Sequence, residues 1–298
     1  MRRAHEDLWR HQGIGVLTTL SFHRSGLRQM TNSGRNCAYC GATRDLSREH
    51  VFPECLYERI DDTVLVNVRG KTEKVVNSQL TVRDVCAPCN NGPLSVLDAY
   101  FCNLYDTYFN SLIRAGECVK FSYDFDLLLR CLLKIGFNMA RARGWSFAPS
   151  MQVRHYVLGR AARPRGLHLY LQLVIPSKLK QGSLPNTPDL TEIPPIPARV
   201  ELANLSLLRG HEVGFMASFN CYSFWVLLES SKAPSHVRKR GLKQWLKNVP
   251  GAQELSEKNR AVVYASSVHV LQDLSTSKPF LRNLGLARKW KAENQRKG

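Results

Sequence analysis

The sequence predicts an α+β protein in which a small N-terminal unit, clamped by a four-cysteine zinc site, precedes a larger, basic α+β domain. Three observations carry this. Two Cys-x-x-Cys pairs, Cys37–Cys40 and Cys86–Cys89, bracket a loop of 45 residues. Apolar spacing is helical between about residues 94 and 143, then gives way to runs rich in Val, Tyr, Phe and Leu. The net charge of +18 is uneven: residues 1–118 hold 14 Lys/Arg against 13 Asp/Glu, and residues 119–298 hold 28 against 11.

A chain of 298 residues suggests about two domains, and 44% hydrophobic residues suffice for a core. The divisions expected are a basic extension over 1–36, the clamped unit over 37–118 and the basic domain over 119–298. No apolar run is long enough to span a membrane. Glu6, Asp7 and Arg10 interrupt any signal-peptide pattern, so a cytoplasmic location is expected. In a reducing compartment the paired cysteines read as metal ligands before disulfides. The other five, Cys55, Cys102, Cys118, Cys131 and Cys221, stand singly and read as free thiols behaving as small hydrophobes.

In chain order, Thr31–Gly34 is a turn signal, and Cys37–Cys40 followed by Gly41 reads as a metal knuckle. Thr63–Val68 and Lys74–Val76 form a hairpin about Arg69-Gly70-Lys71. Gln79–Val85 is a strand leading into Cys86, and Asn90-Asn91-Gly92-Pro93 opens a helix running to about Ile113. Asp126–Arg143 is a second helix, ended by Gly144. Strands follow at Gln152–Leu158, Leu167–Ile175, Arg199–Leu208, Val213–Phe219 and Tyr222–Glu229, with a Pro- and Ser-rich loop over Pro176–Pro197. His236–Asn248 is a basic helix carrying Trp245. Ala261–Leu271 is a strand, and Ser277–Lys291 a final helix.

Four thiolates make a closed tetrahedral zinc site that stabilises structure and leaves no open position for chemistry. Between the pairs stands Arg48-Glu49-His50-Val51-Phe52-Pro53, and Asn90 follows the last cysteine. This arrangement of Cys37, Cys40, Glu49, His50, Pro53, Cys86, Cys89 and Asn90 resembles the HNH, or ββα-metal, endonucleases in their zinc-stabilised four-cysteine branch. The resemblance covers about residues 35–110. It implies an N-terminal ββα-metal module that hydrolyses phosphodiester bonds in DNA. It implies that His50 is the general base, and that Glu49 and Asn90 hold a divalent ion, Mg²⁺ or Mn²⁺. The family's middle asparagine, which holds the histidine loop in shape, maps to Asn77, with Asn67 as an alternative; Asn91 is the alternative to Asn90. The family more often has Asp where Glu49 stands. Adjacent residues on a regular strand point to opposite faces, so Glu49 and His50 share one phosphate only where the backbone bends. Without a catalytic role, the same pattern is a zinc ribbon that binds nucleic acid.

The excess charge points to a polyanion partner. Arg48, Arg160, Arg163, Arg238, Lys239, Arg240 and Lys243 are the candidate phosphate contacts, giving affinity by counterion release without sequence preference. A regulatory protein partner for the second domain is the other possibility. HNH modules occur in restriction, mobile-element and phage-defence settings.

Overall fold

The computed structural model describes residues 36–59, 65–69, 72–76, 79–145, 149–178, 192–193, 195, 198–203, 208–257 and 260–264. The molecule is α+β and carries a four-cysteine cluster at one end. The expected extension over 1–36 (Asn36 apart), Asn77 and the last helix lie outside the described residues.

Strand β1 (Leu46–His50) pairs antiparallel with β4 (Thr81–Cys86). Between them come a short helix α1 (Glu54–Arg59) and a hairpin of β2 (Leu65–Arg69) and β3 (Thr72–Val76). After β4 the chain turns directly into helix at Ala87–Cys89, with Pro88 in the first turn, where its missing N–H costs nothing. The helix therefore starts three residues earlier than Asn90 suggested. A wide turn over Asn90–Leu94, with Gly92 in a non-helical conformation, leads into α2 (Ser95–Leu104), and a second wide turn spans Tyr105–Phe109.

Strand β5 (Cys118–Ser122) leads into α3 (Phe125–Arg143), the central element. Its ends are set locally. The Asp124 side chain accepts from Leu127 N at 2.8 Å, and Gly144 closes the helix at a φ of 66°. Helix α4 (Met151–Val157) replaces the strand expected over Gln152–Leu158. Ser150 caps it by accepting from Val153 N, and Val153, Tyr156 and Val157 recur at helical spacing on its buried side.

The second half is built on β6 (Leu167–Leu173). The minor strands β7 (Ser177–Lys178) and β8 (Glu192–Ile193) pair with each other. Then come β9 (Arg199–Leu202), β10 (His211–Phe219) and β11 (Tyr222–Glu229), helix α5 (Ser235–Asn248), and strands β12 (Gln253–Glu254) and β13 (Arg260–Tyr264). The main sheet is antiparallel, in the order β12-β6-β11-β10-β9, and β13 pairs with β5. Trp245 fixes α5 to the sheet, its ring 5.4 Å from Tyr170 and 5.3 Å from Trp225.

Helix α3 serves both ends of the molecule. Its Gly136 lies against the sheet, so close to Phe215 that an added Cβ would meet the ring at 2.5 Å. Lys134, Asn138 and Arg141, at i, i+4 and i+7, face the cysteine end. One buried cluster runs from Cys37 to Leu255, across the division expected at residue 118. Phe219 of β10 links the ends, with Phe101 at 4.5 Å and Phe52 at 6.2 Å between ring centroids.

Two cysteines expected to stand free are joined. Cys55 of α1 and Cys102 of α2 form a disulfide, with Cα atoms 6.2 Å apart across a separation of 47 residues. The packing of α1 on α2 brings them together, and no spacing rule reports that contact.

Candidate metal centre and the Glu49–His50 site

Two local turns build the thiol cluster. In the first, Gly41 N donates to Cys37 O at 2.8 Å, and Gly41 takes the left-handed φ of 74° that a knuckle requires. The second is the junction of β4 and the following helix, which presents Cys86 and Cys89. The four sulfurs lie within 4.8 Å of one another, and Cys40 Sγ and Cys86 Sγ are 3.8 Å apart. A zinc tetrahedron with metal–sulfur bonds of about 2.3 Å has edges of about 3.8 Å, so this donor set fits zinc. Burial pushes the Cys37 thiol up, but backbone groups at Cys40, Cys86 and Tyr39 outweigh it and bring it down to about 7. Burial raises Cys86 and Cys89. A divalent cation removes that conflict, because it holds coordinated thiols as thiolates.

Asn90 is tied to β1, 43 residues away in sequence. Its Nδ2 donates to Ser47 Oγ at 3.0 Å and, 42 residues from Asn90, to Arg48 O at 2.7 Å. Ser47 Oγ gives its own proton to Val85 O at 2.8 Å, so it must accept from Asn90. Both partners therefore require the amide nitrogen, and Asn90 Oδ1 is left without a donor among the described residues. Asn91, the alternative, is exposed, and its carbonyl accepts from Ser95 Oγ instead.

The pairing of β1 with β4 slips between Ser47 and Glu49, where Arg83 and Asp84 together oppose Arg48. Beyond this bulge the alternation resumes. Glu49 points inward and is 3% exposed, while His50 points outward. Lys134 Nζ, fully buried, lies 2.5 Å from Glu49 Oε1 and 2.6 and 2.9 Å from the two oxygens of Asp98. Burial pushes the Glu49 carboxyl above the usual range, against the pull of Lys134. Asp98 and Glu49 hold Lys134 protonated against its own burial. Glu49 Oε2 has no hydrogen-bond partner among the described residues. Glu49 is thus engaged at Oε1 by the Lys134 ammonium, and Asn90 by its amide nitrogen.

His50 is held at both ends. Its Nε2 lies 2.7 Å from Gln79 Oε1, and its backbone carbonyl accepts from Asn138 Nδ2 at 2.8 Å. Asn77 lies outside the described residues, and of Asn67 only the backbone in β2 is described. Sequence reasoning missed Lys134, Asn138, Asp98 and Gln79. A signal for two of them was present: Lys134 and Asn138 are polar residues four apart on the apolar side of a helix. Such residues stay buried only when paired.

The basic residues divide. Arg48, Arg160, Lys239, Arg240 and Lys243 are exposed. Arg163 instead pairs with Glu257 and lies 3.5 Å from Asp126, with its guanidinium over the Phe125 ring at 4.8 Å. Arg238 pairs with Glu229 at 2.9 Å and donates to Ala233 O. Those two tie the fold together internally. No described helix is long and apolar enough to cross a membrane. No family profile, curated protein or solved structure matches the chain.

Proposed function

We propose that the chain is a metal-dependent endonuclease of the HNH type that hydrolyses phosphodiester bonds in DNA. In this reading β1, β4 and the helix after Cys86 are the ββα-metal module. Zinc on Cys37, Cys40, Cys86 and Cys89 holds its ends together. The observation that supports the reading is the hydrogen bond from Asn90 Nδ2 to Arg48 O, which ties the residue after the last cysteine to the strand that carries Glu49 and His50. Chain segments more than 40 residues apart meet there because the cysteine cluster closes beside them.

Asn90 Oδ1 and Glu49 Oε2 would hold Mg²⁺ or Mn²⁺, which supplies a positive charge for the phosphate oxygens and the leaving oxygen. Gln79 Oε1 accepts from His50 Nε2–H, so Nδ1 carries the lone pair and takes the proton of the attacking water. Arg48, Arg160, Lys239, Arg240 and Lys243 supply phosphate contacts. Arg163 and Arg238, already paired, contribute little to that attraction.

One observation favours a second reading. The Lys134 ammonium already occupies one oxygen of Glu49, as it would in a zinc-clamped module that binds nucleic acid without cutting it. Plasmid cleavage separates the two. Purified protein with Mg²⁺ or Mn²⁺ is expected to cut DNA, EDTA to stop it, and His50→Ala to slow it on the order of 10²- to 10⁴-fold. Binding without cleavage under either metal would establish the second reading, and undiminished cleavage by His50→Ala would remove His50 from the chemistry.

A further inference from the structure

We infer that Asn138 is the positioning residue for His50, and that helix α3 supplies this role from outside the loop between the cysteine pairs. The inference rests on the nuclease reading above, because it concerns where that reading's general base is held.

Asn138 is fully buried, and both ends of its amide are in use. Oδ1 accepts from Tyr39 Oη at 2.6 Å and from Arg141 Nη2 at 2.9 Å. A guanidinium only donates, so the oxygen must face Arg141 and the nitrogen must face the His50 carbonyl. The amide orientation thus follows from its partners. His50 closes strand β1, and its neighbour's amide, Val51 N, donates to Leu80 O at 2.9 Å. The His50 carbonyl is left for Asn138. Gln79 then fixes the ring at Nε2, so backbone and imidazole are each tethered once.

Tyr39 extends the tether. It sits between Cys37 and Cys40, is fully buried, and packs edge-on against Phe137 at 5.2 Å. The cysteine knuckle therefore reaches His50 through two hydrogen bonds, Tyr39 to Asn138 and Asn138 to His50.

Asn138→Ala deletes three hydrogen bonds and tests folding as much as position. Asn138→Asp is sharper: it keeps an acceptor for Tyr39 and for the Arg141 guanidinium, which pairs the new charge, and it sets a carboxylate oxygen where the donor to the His50 carbonyl stood. The full chain is compared with this variant by zinc content, DNA affinity, single-turnover cleavage at saturating DNA, and the NMR resonance of the Val51 amide, which adjoins the His50 carbonyl. Asn138→Asp is expected to keep one zinc per chain and wild-type DNA affinity. Its cleavage rate is expected to fall on the order of 10²-fold, as for a displaced catalytic group, and the Val51 amide to shift. An unmoved Val51 amide, or cleavage at the wild-type rate where the wild type cuts, would overturn the inference. So would loss of zinc, which would make Asn138 a structural support of the knuckle. If the wild type itself cuts nothing, the nuclease reading fails, yet a shifted Val51 amide still upholds the tether.

Discussion

The two ends of the molecule are held by different forces. Around β1 and β4 the sheet has only two strands, and cross-links surround it: four converging thiols, the Cys55–Cys102 disulfide and the buried Lys134–Glu49–Asp98 group. The other end has a five-stranded sheet whose inner face buries Leu169, Leu171, Phe215, Ala217, Phe219, Phe224 and Val226. A two-stranded sheet buries too little apolar surface to stand alone, whereas five strands under a helix do so readily. The comparison teaches that charge and sulfur add to the shared hydrophobic core where the candidate site lies.

Disrupting the cysteine cluster is the largest perturbation this contrast predicts. Cys86→Ser, or a strong chelator on the wild type, should remove on the order of 10 kcal/mol of apparent stabilisation from the cysteine end. Hydrogen exchange should then show protection lost from β1 and β4 while β6, β10 and β11 keep theirs. Equal loss in both would break the comparison.

Breaking the buried charge group comes next. Lys134→Met leaves Glu49 buried and uncompensated, which costs about 3–5 kcal/mol, read as a lower Tm. The double variant Lys134→Met, Glu49→Met should recover part of the loss, because the only charge left without its partner is then Asp98, which is partly exposed. No recovery would show that Lys134 acts by packing alone.

The disulfide ranks third. Closing a loop of 47 residues contributes about 4 kcal/mol in the chain-entropy account. Replacing Cys55 and Cys102 by Ser should lower the denaturation midpoint, with wild type and variant converging once reductant is added. Peptide mapping without reductant should recover the two cysteines in one linked peptide.

The smallest effect tests the apolar end. Gly136→Ala places a methyl group against the buried Phe215 ring and should cost about 1–3 kcal/mol by overpacking. That loss should appear in β10 and leave zinc content unchanged. A drop in zinc would show that α3 transmits strain between the two ends.

Much of the architecture was legible from local chemistry. The cysteine spacing announced the cluster, Gly144 announced the end of α3, and the Val-, Tyr- and Phe-rich runs announced β6, β10 and β11. The error at Gln152–Leu158 was also local, since Ser150 is a helix cap and Val153, Tyr156 and Val157 keep helical spacing. These features depend on residues within a few positions of one another, which a linear reading can weigh.

What tertiary structure alone decided is which distant residues meet. Glu49 and His50 were found as a pair in sequence, but the fold turns one inward to Lys134 and the other outward to Gln79. Asn90 reaches Arg48 across 42 residues, Cys55 reaches Cys102 across 47, and Asn138 reaches His50 across 88. The physical reason is common to all three: each contact depends on how helices and strands pack, and packing is a property of the whole core. The sequence by itself therefore determined the candidate groups and the four-cysteine cluster beside them, and the packed core decided which side chains surround each candidate group.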